Sequence, residues 1–508
     1  MVEWVISENL CKLILFFHRR WERSRNGSTS HIPVHSTISG MHQMPFNGLL
    51  TSSLEYGIVA RSTPLTGKIL SGYLDASGSA AGLGIGNPNV EFTPNISACA
   101  MASDGGTAKL VWGSRVGDVL FMSIPKAMET GSRRSSAEVR RCGIVDQHEG
   151  AVMDAVWLAV QPALVITGGA DGKVKVWDAK NAASAWTSQQ VLDSVIPDAC
   201  VKVAGSAQRG FVVGIFKSGQ IRVWTGFDFS QPAVLADNVR ELIVECPVRT
   251  TTDDYESAAS RDVTTVGHDS TANKISVLVG YGNDVYFYRI QVDLATLDVQ
   301  TLAFGDPSSG SISTIAPFFL GDKTESSIVF VGDHLGCICV YEWNADPHDI
   351  DSRIDAIGPL KKFEAHGDGA SVTSITWNGL VLVSGSSRGH AHVFDGMTFE
   401  LLRSFESPHP RFRGRLFGTD VGDMERQRRE REKVRIILLG PEMDTVYMGI
   451  GNKVVAWKAG PVPKYIRGGV RGRNLSGWAR GKRQNLKQFG KYRYYRCCMS
   501  LIVRDQTI

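Results

Sequence analysis

The chain has 508 residues, 43% of them hydrophobic and 21% charged, with 53 Gly against only 19 Pro. That balance fits a globular chain and excludes a collagen-like or broadly disordered one. The net charge of +4 is unevenly placed: residues 461–508 hold twelve Lys or Arg and one acid, Asp505, which leaves 43 cations against 50 acids in residues 1–460.

Residues 1–49 read as a short helical lead-in. Leu10, Leu13, Ile14, Phe17 and Trp21 recur at helical spacing and form an apolar stripe suited to packing on a larger body. Acids at Glu3 and Glu8 and the lack of a small-residue cleavage site argue against a secretory signal. No apolar run approaches the roughly 18 residues of a membrane-spanning helix. A cytoplasmic or nuclear location is therefore expected, with no membrane partner.

From about residue 50 to 460 a short pattern repeats: an apolar run, a Gly, a tight turn, and an alternating run that ends in an aromatic. Its seven copies centre on Gly113, Gly168, Gly214, Gly280, Gly332, Gly385 and Gly449. The second, Val165-Ile-Thr-Gly-Gly-Ala-Asp-Gly-Lys-Val-Lys-Val-Trp177, is the most regular. Each copy has the form of a β-hairpin whose turn uses Gly or Asn. An apolar strand precedes most copies and another follows, giving four antiparallel strands per repeat. Four-stranded sheets repeated radially make a propeller, so an all-β, seven-bladed propeller is predicted over residues 50–460. Copies lie 46 to 66 residues apart, so long loops are expected, chiefly at 250–272 and 345–358. An orphan pair at 56–61 and 67–74 is expected to supply the outer strand of the last blade and so close the ring.

The nine cysteines are scattered and odd in number, and the close pairs Cys337/Cys339 and Cys497/Cys498 lack the spacing of a zinc knuckle. Reduced core thiols and no metal are expected. Gly82-Leu-Gly-Ile-Gly86 follows a Ser/Ala/Gly stretch and not a strand, so it reads as a loop and not as a dinucleotide cradle. No catalytic residues and no cofactor are expected: the chain lacks a phosphate-loop Gly-Lys-Ser/Thr, a His-Glu-x-x-His and a Gly-x-Ser-x-Gly. The run Glu425 to Lys433 mixes charge signs without an apolar stripe and reads as a short solvated helix. Residues 461–508 interleave the cations with Tyr465, Trp478, Phe489, Tyr492, Tyr494 and Tyr495. They read as a disordered basic tail, whose composition is compatible with RNA stacking.

The second copy and the segment before it, His148-Glu-Gly-Ala-Val-Met-Asp-Ala-Val-Trp157, resemble a WD repeat. The resemblance implies a structural tetrad of His148, Thr167, Asp171 and Trp177, hydrogen-bonded within one blade. The sixth copy matches at His366 and Ser384 but has Arg388 in place of the acid and Phe394 in place of the Trp. The layout as a whole, with its His18-Arg-Arg-Trp-Glu-Arg-Ser24 lead-in and closing Val-Ala-Trp-Lys-Ala-Gly-Pro461, is similar to fungal F-box/WD-repeat proteins, the substrate receptors of Skp-cullin ubiquitin ligases. It departs from them in having no compact helical F-box beginning with Leu-Pro. The resemblance implies a protein-recognition module with a Skp adaptor and cullin as partners; the alternative is a non-enzymatic scaffold, in the RNA-associated case through the tail. In such propellers one face gathers the turns between second and third strands, which here carry Arg115, Lys173, Lys217 and Arg388, with His334 and Lys453 at comparable places. A ring of cations at that face suits a phosphorylated or acidic peptide.

Overall fold

The computed structural model describes residues 16–24, 27–34, 36–45, 47–70, 73–75, 80–81, 95–125, 137–189, 197–229, 238–247, 263–270, 274–282, 284–294, 296–319, 327–346, 348, 355–406 and 431–460. The loop at 82–86, most of 425–433 and the tail at 461–508 lie outside them.

The described strands form a propeller of eight blades, not seven. Blade 3 shows the plan: Val152–Ala159 is innermost, followed outward by Leu164–Gly169, Val174–Asp178 and Ala183–Thr187, all antiparallel. The innermost strands of the other blades, in order from blade 1, are Gly40–Met44, Ile96–Asp104, then Cys200–Ser206, Val263–Ser270, Ile312–Phe318, Val372–Trp377 and Val434–Leu439. Each adjoins the next, and blade 8 returns to blade 1. The expected loop at 250–272 thus contains the innermost strand of blade 5.

The uncounted blade is the first. Its strands Gly48–Ser53 and Ile58–Thr63 carry Ser52 in place of the recurrent Gly and Ser62 in place of the closing aromatic. Both hydroxyls are buried and paired, Ser52 with Ser39 and Ser62 with His31 at 2.9 Å, as is Ser53 with Ser36, while the buried Thr51 hydroxyl meets no partner among the described residues. Hydrogen bonds stand in for the closing aromatic, so the repeat pattern is silent there. The segment at 56–74 therefore belongs to blade 1, where Ile58–Thr63 pairs with Lys68–Ile69 and Tyr73–Asp75. The ring is closed instead by Thr29–His31, which pairs antiparallel with Lys453–Lys458, Thr29 opposite Ala456.

Eight buried apolar clusters fill the eight seams between neighbouring blades. The recurrent Gly of the second strand marks the approach of the following blade. A Cβ at Gly332 would lie 2.6 Å from Val372, and one at Gly168 would lie 2.8 Å from the Cys200 sulfur. Val372 and Cys200 are the first residues of the next innermost strand, as is Val152 beside Gly113. The aromatic of the third strand faces the other way, so Trp177, Trp224, Tyr341, Phe394 and Trp457 pack against the preceding blade. In blade 2 Met122 takes that position and receives a contact from the Trp112 indole NH at 3.1 Å.

Seven innermost strands bulge directly after their first residue. At three of them the bulged hydroxyl, Ser97, Ser313 or Thr373, donates to the carbonyl of the first residue of the next blade: Val152, Val372 or Val434. A bulge re-aims a side chain, and here it aims a donor across a seam.

Outside the ring a helical turn at residues 16–23 docks on blades 7 and 8. Trp21 is fully buried, packs against Trp457 with ring centroids 4.9 Å apart, and donates to the Met443 carbonyl. His18 pairs with Asp395 at 3.1 Å and Arg20 with Asp444 at 2.9 Å. Burial works to raise the Asp395 carboxyl, yet the His18 hydrogen bond and the amides of Thr398 and Met397 hold it down to about 2. The six described cysteines are free, and burial pushes the Cys99 thiol up to about 12.

A Gly332→Ala substitution is expected to lower unfolding stability by about 1–3 kcal/mol through overpacking at the seam. Gly358→Ala, where an added Cβ meets nothing within 4 Å, is expected to be near neutral; urea unfolding of both variants checks the contrast.

Candidate functional site

Antiparallel order puts the second-to-third-strand turns and the inter-blade loops on one face of the ring, and polar contacts tie each turn to the adjacent loop. In blade 3 His148 comes from the loop and Asp171 from the turn. His148 Nδ1 lies 3.0 Å from Asp171, His148 Nε2 lies 2.8 Å from the Thr167 hydroxyl, and the Trp177 indole NH donates to that hydroxyl at 2.8 Å. A directional chain satisfies all four: Trp177 donates to Thr167, Thr167 to His148 Nε2, and His148 Nδ1–H to the carboxylate. Asp171 also accepts the amides of Glu149 and Lys173 at 3.0 and 3.1 Å. Burial works to raise its carboxyl, but the hydrogen bond from His148, with those amides, holds it below the usual range.

Other blades solve the same problem with different residues. In blade 4 the loop residue Asp198 accepts the Ser218 amide at 3.0 Å and its hydroxyl. In blade 6 Asp333 accepts the amides of Gly310, Leu335 and Cys337. In blade 2 Asp118 receives Arg141 from the end of the outermost strand and Gln147 from the loop. In blade 7 His366 Nε2 lies 3.0 Å from Ser384, and Ser386 takes the amide of His390 where Arg388 occupies the acid's place. The His366 and His392 rings stack at 4.5 Å; burial first, and then His392, lower His366 to about 4. Only blade 3 shows the full pattern in its sequence, because the substitutes come from positions that shift from blade to blade.

The four turn cations divide into two kinds. Lys173 is paired with Glu149 at 3.1 Å, and Arg388 with Asp368 at 3.2 Å, in each case across the turn and loop of one blade. Arg115 and Lys217 are exposed and make no ion pair among the described residues. His334 is exposed and meets Ser371 at 3.2 Å. Lys453 is half-buried. The face is therefore a mixed-charge surface with free cations on blades 2 and 4, not an unbroken ring of positive charge. Among the described residues no three His, Cys, Asp or Glu are grouped to hold a metal ion. Among them, too, no helix is long and apolar enough to cross a membrane.

Residues 140–178 match the family model for the WD domain, G-beta repeat. The match runs from the outermost strand of blade 2 through the third strand of blade 3, so the sequence repeat is offset from the blade by one strand. No curated protein sequence matches the chain. Among solved structures, the computationally designed Ika8 protein shares 17% identity at a TM-score of 0.51, covering 85% of this chain and 100% of that one. BamB from Moraxella catarrhalis shares 13% identity at a TM-score of 0.48, over 85% of this chain and 98% of that one. The Ika8 likeness is one of fold alone.

Thr167→Val strands the Trp177 and His148 nitrogens and is expected to cost about 1–3 kcal/mol in urea unfolding. His366 supplies a pH test. The unfolded imidazole titrates near about 6.5 and the folded one at about 4. The unfolded state thus binds more protons between those values, and stability falls as the pH drops through that window. Thermal melts of His366→Gln are expected to show a shallower loss from pH 6.5 to 4 than the parent.

Proposed function

Because the chain is a β-propeller that carries a WD repeat, we propose that it is a protein-recognition module engaging partner proteins through the turn-and-loop face of blades 2 to 4. The observation that supports this is the pair of exposed cations, Arg115 and Lys217, standing on turns whose backbones are locked by the polar ties of that face. Such groups offer charge-assisted hydrogen bonds to an acidic segment with little further ordering cost.

A narrower assignment, as the receptor of a Skp-cullin ligase, is carried by the sequence layout. The described part of the lead-in helix is occupied elsewhere, since Trp21, Phe17 and Arg20 all face blades 7 and 8. The broader reading is the one we advance, and adaptor binding becomes an arm of its test.

The double variant Arg115→Glu/Lys217→Glu should fold with an unchanged melting temperature and lose partner proteins retained by the parent from cell extract, by about tenfold or more. Retention that is indifferent to both reversals overturns the assignment of the face. Co-purification of a Skp adaptor with the parent narrows the function to a ligase receptor.

A further inference from the structure

One place on this face combines rigidity with exposed apolar surface. The loop from blade 2 to blade 3 contains a single 3-10 turn, Ile144–Asp146, in which Ile144 is 86% and Val145 96% exposed. Val116, on the neighbouring second-to-third-strand turn of blade 2, is 62% exposed. Mobility does not account for that exposure, because the loop is tied on both sides. The Cys142 amide donates to the Val119 carbonyl at 3.0 Å and the His148 amide to the Gly117 carbonyl at 3.1 Å. Beneath the turn, the buried Lys175 donates to the carbonyls of Asp146 and Gln147 at 2.8 and 3.0 Å. Gly117, at a φ of +98°, leaves no room for a side chain against the His148 carbonyl.

The fold thus holds two β-branched side chains in water on a fixed support. Val and Ile have little rotamer freedom to lose on binding, and the backbone is already ordered, which lowers the cost of association. Beside Val116 stands Arg115, exposed and without an ion pair among the described residues. Of the other cations near this loop, Arg141 has Asp118, Arg140 has Glu138, and Lys175 has the carbonyls beneath the turn.

We propose that the Ile144–Val145 knuckle, with Val116 and Arg115 beside it, is the docking point for a peptide segment that carries a branched or aromatic apolar side chain next to a carboxylate. The apolar side chain covers the knuckle, and the carboxylate completes Arg115. The inference rests on the reading that this face recognises proteins, and it names the chemistry recognised.

The test is selection of a displayed random 12-residue peptide library on the full chain, with counter-selection on the Ile144→Ser/Val145→Ser variant. Both side chains are solvent-exposed, so that variant is expected to keep the parent's melting temperature. Enriched peptides are expected to place an acid next to an apolar residue. A synthetic peptide of the enriched consensus is expected to bind the serine variant at least tenfold more weakly, and Arg115→Ala several-fold more weakly, in fluorescence anisotropy. Enriched peptides without that pattern, or with affinity indifferent to both variants, overturn the inference. If those peptides are instead lost on Lys217→Glu, the recognition face stands and only the knuckle is refuted. Concentration-dependent dimerisation of the parent in sedimentation equilibrium, abolished by the serine variant, would make a second copy the occupant and overturn the peptide.

Discussion

Neighbouring blades approach most closely where one of them carries no side chain. At Gly113, Gly168, Gly332 and Gly385 the backbone of a second strand faces the first residue of the next innermost strand, and an added Cβ would fall inside van der Waals distance of Val152, Cys200, Val372 or Val434. Packed interiors tolerate such intrusion poorly. The rest accords with that spacing: the aromatic of the third strand faces the preceding seam, and the bulged hydroxyls of Ser97, Ser313 and Thr373 come within reach of the following blade.

The same spacing fixes what the face can present. Loops that leave an outermost strand must cross a whole blade to reach the next innermost one, and their polar groups need partners on the way. The blade 3 chain of Trp177, Thr167, His148 and Asp171 supplies them in one form; Asp118, Asp198 and Asp333 supply them in others. Because each loop is pinned to a turn, side chains beyond the pins, such as Arg115, Lys217 and Ile144, are held outward by structure that is already satisfied.

Much of this was legible in the sequence where a residue has no substitute. Glycine at a close approach and an aromatic in a seam cannot be exchanged freely, and these revealed seven blades. Blade 1 escaped because Ser52 stands in place of the recurrent Gly and Ser62, paired with His31, in place of the aromatic, so neither periodic mark is present. With that blade uncounted, the closing strand was assigned to 56–74 in place of Thr29–His31. At the face, His148 and Asp171 were readable through the resemblance of the second copy to a WD repeat. The neutralisation of Lys173 by Glu149 and of Arg388 by Asp368 was not, since those partners lie 24 and 20 residues away in the chain. The Ile144–Val145 knuckle had no sequence signal: two aliphatics in a linker look the same whether they are buried or displayed.

The docked lead-in helix also bears on how the molecule is made. The Gly460 amide donates to Ser24 Oγ, a contact between residues 436 apart, and Trp21 rests on Trp457. During synthesis Trp21 and its neighbours emerge first, yet their seat is completed last, so they must remain undocked until blade 8 leaves the ribosome. The entropy of closing so long a loop exceeds that of joining adjacent blades by only about 2 kcal/mol, because it grows with the logarithm of length. The joint is thus thermodynamically inexpensive but late, and a nascent chain halted before Val434 would carry seven blades and an open gap.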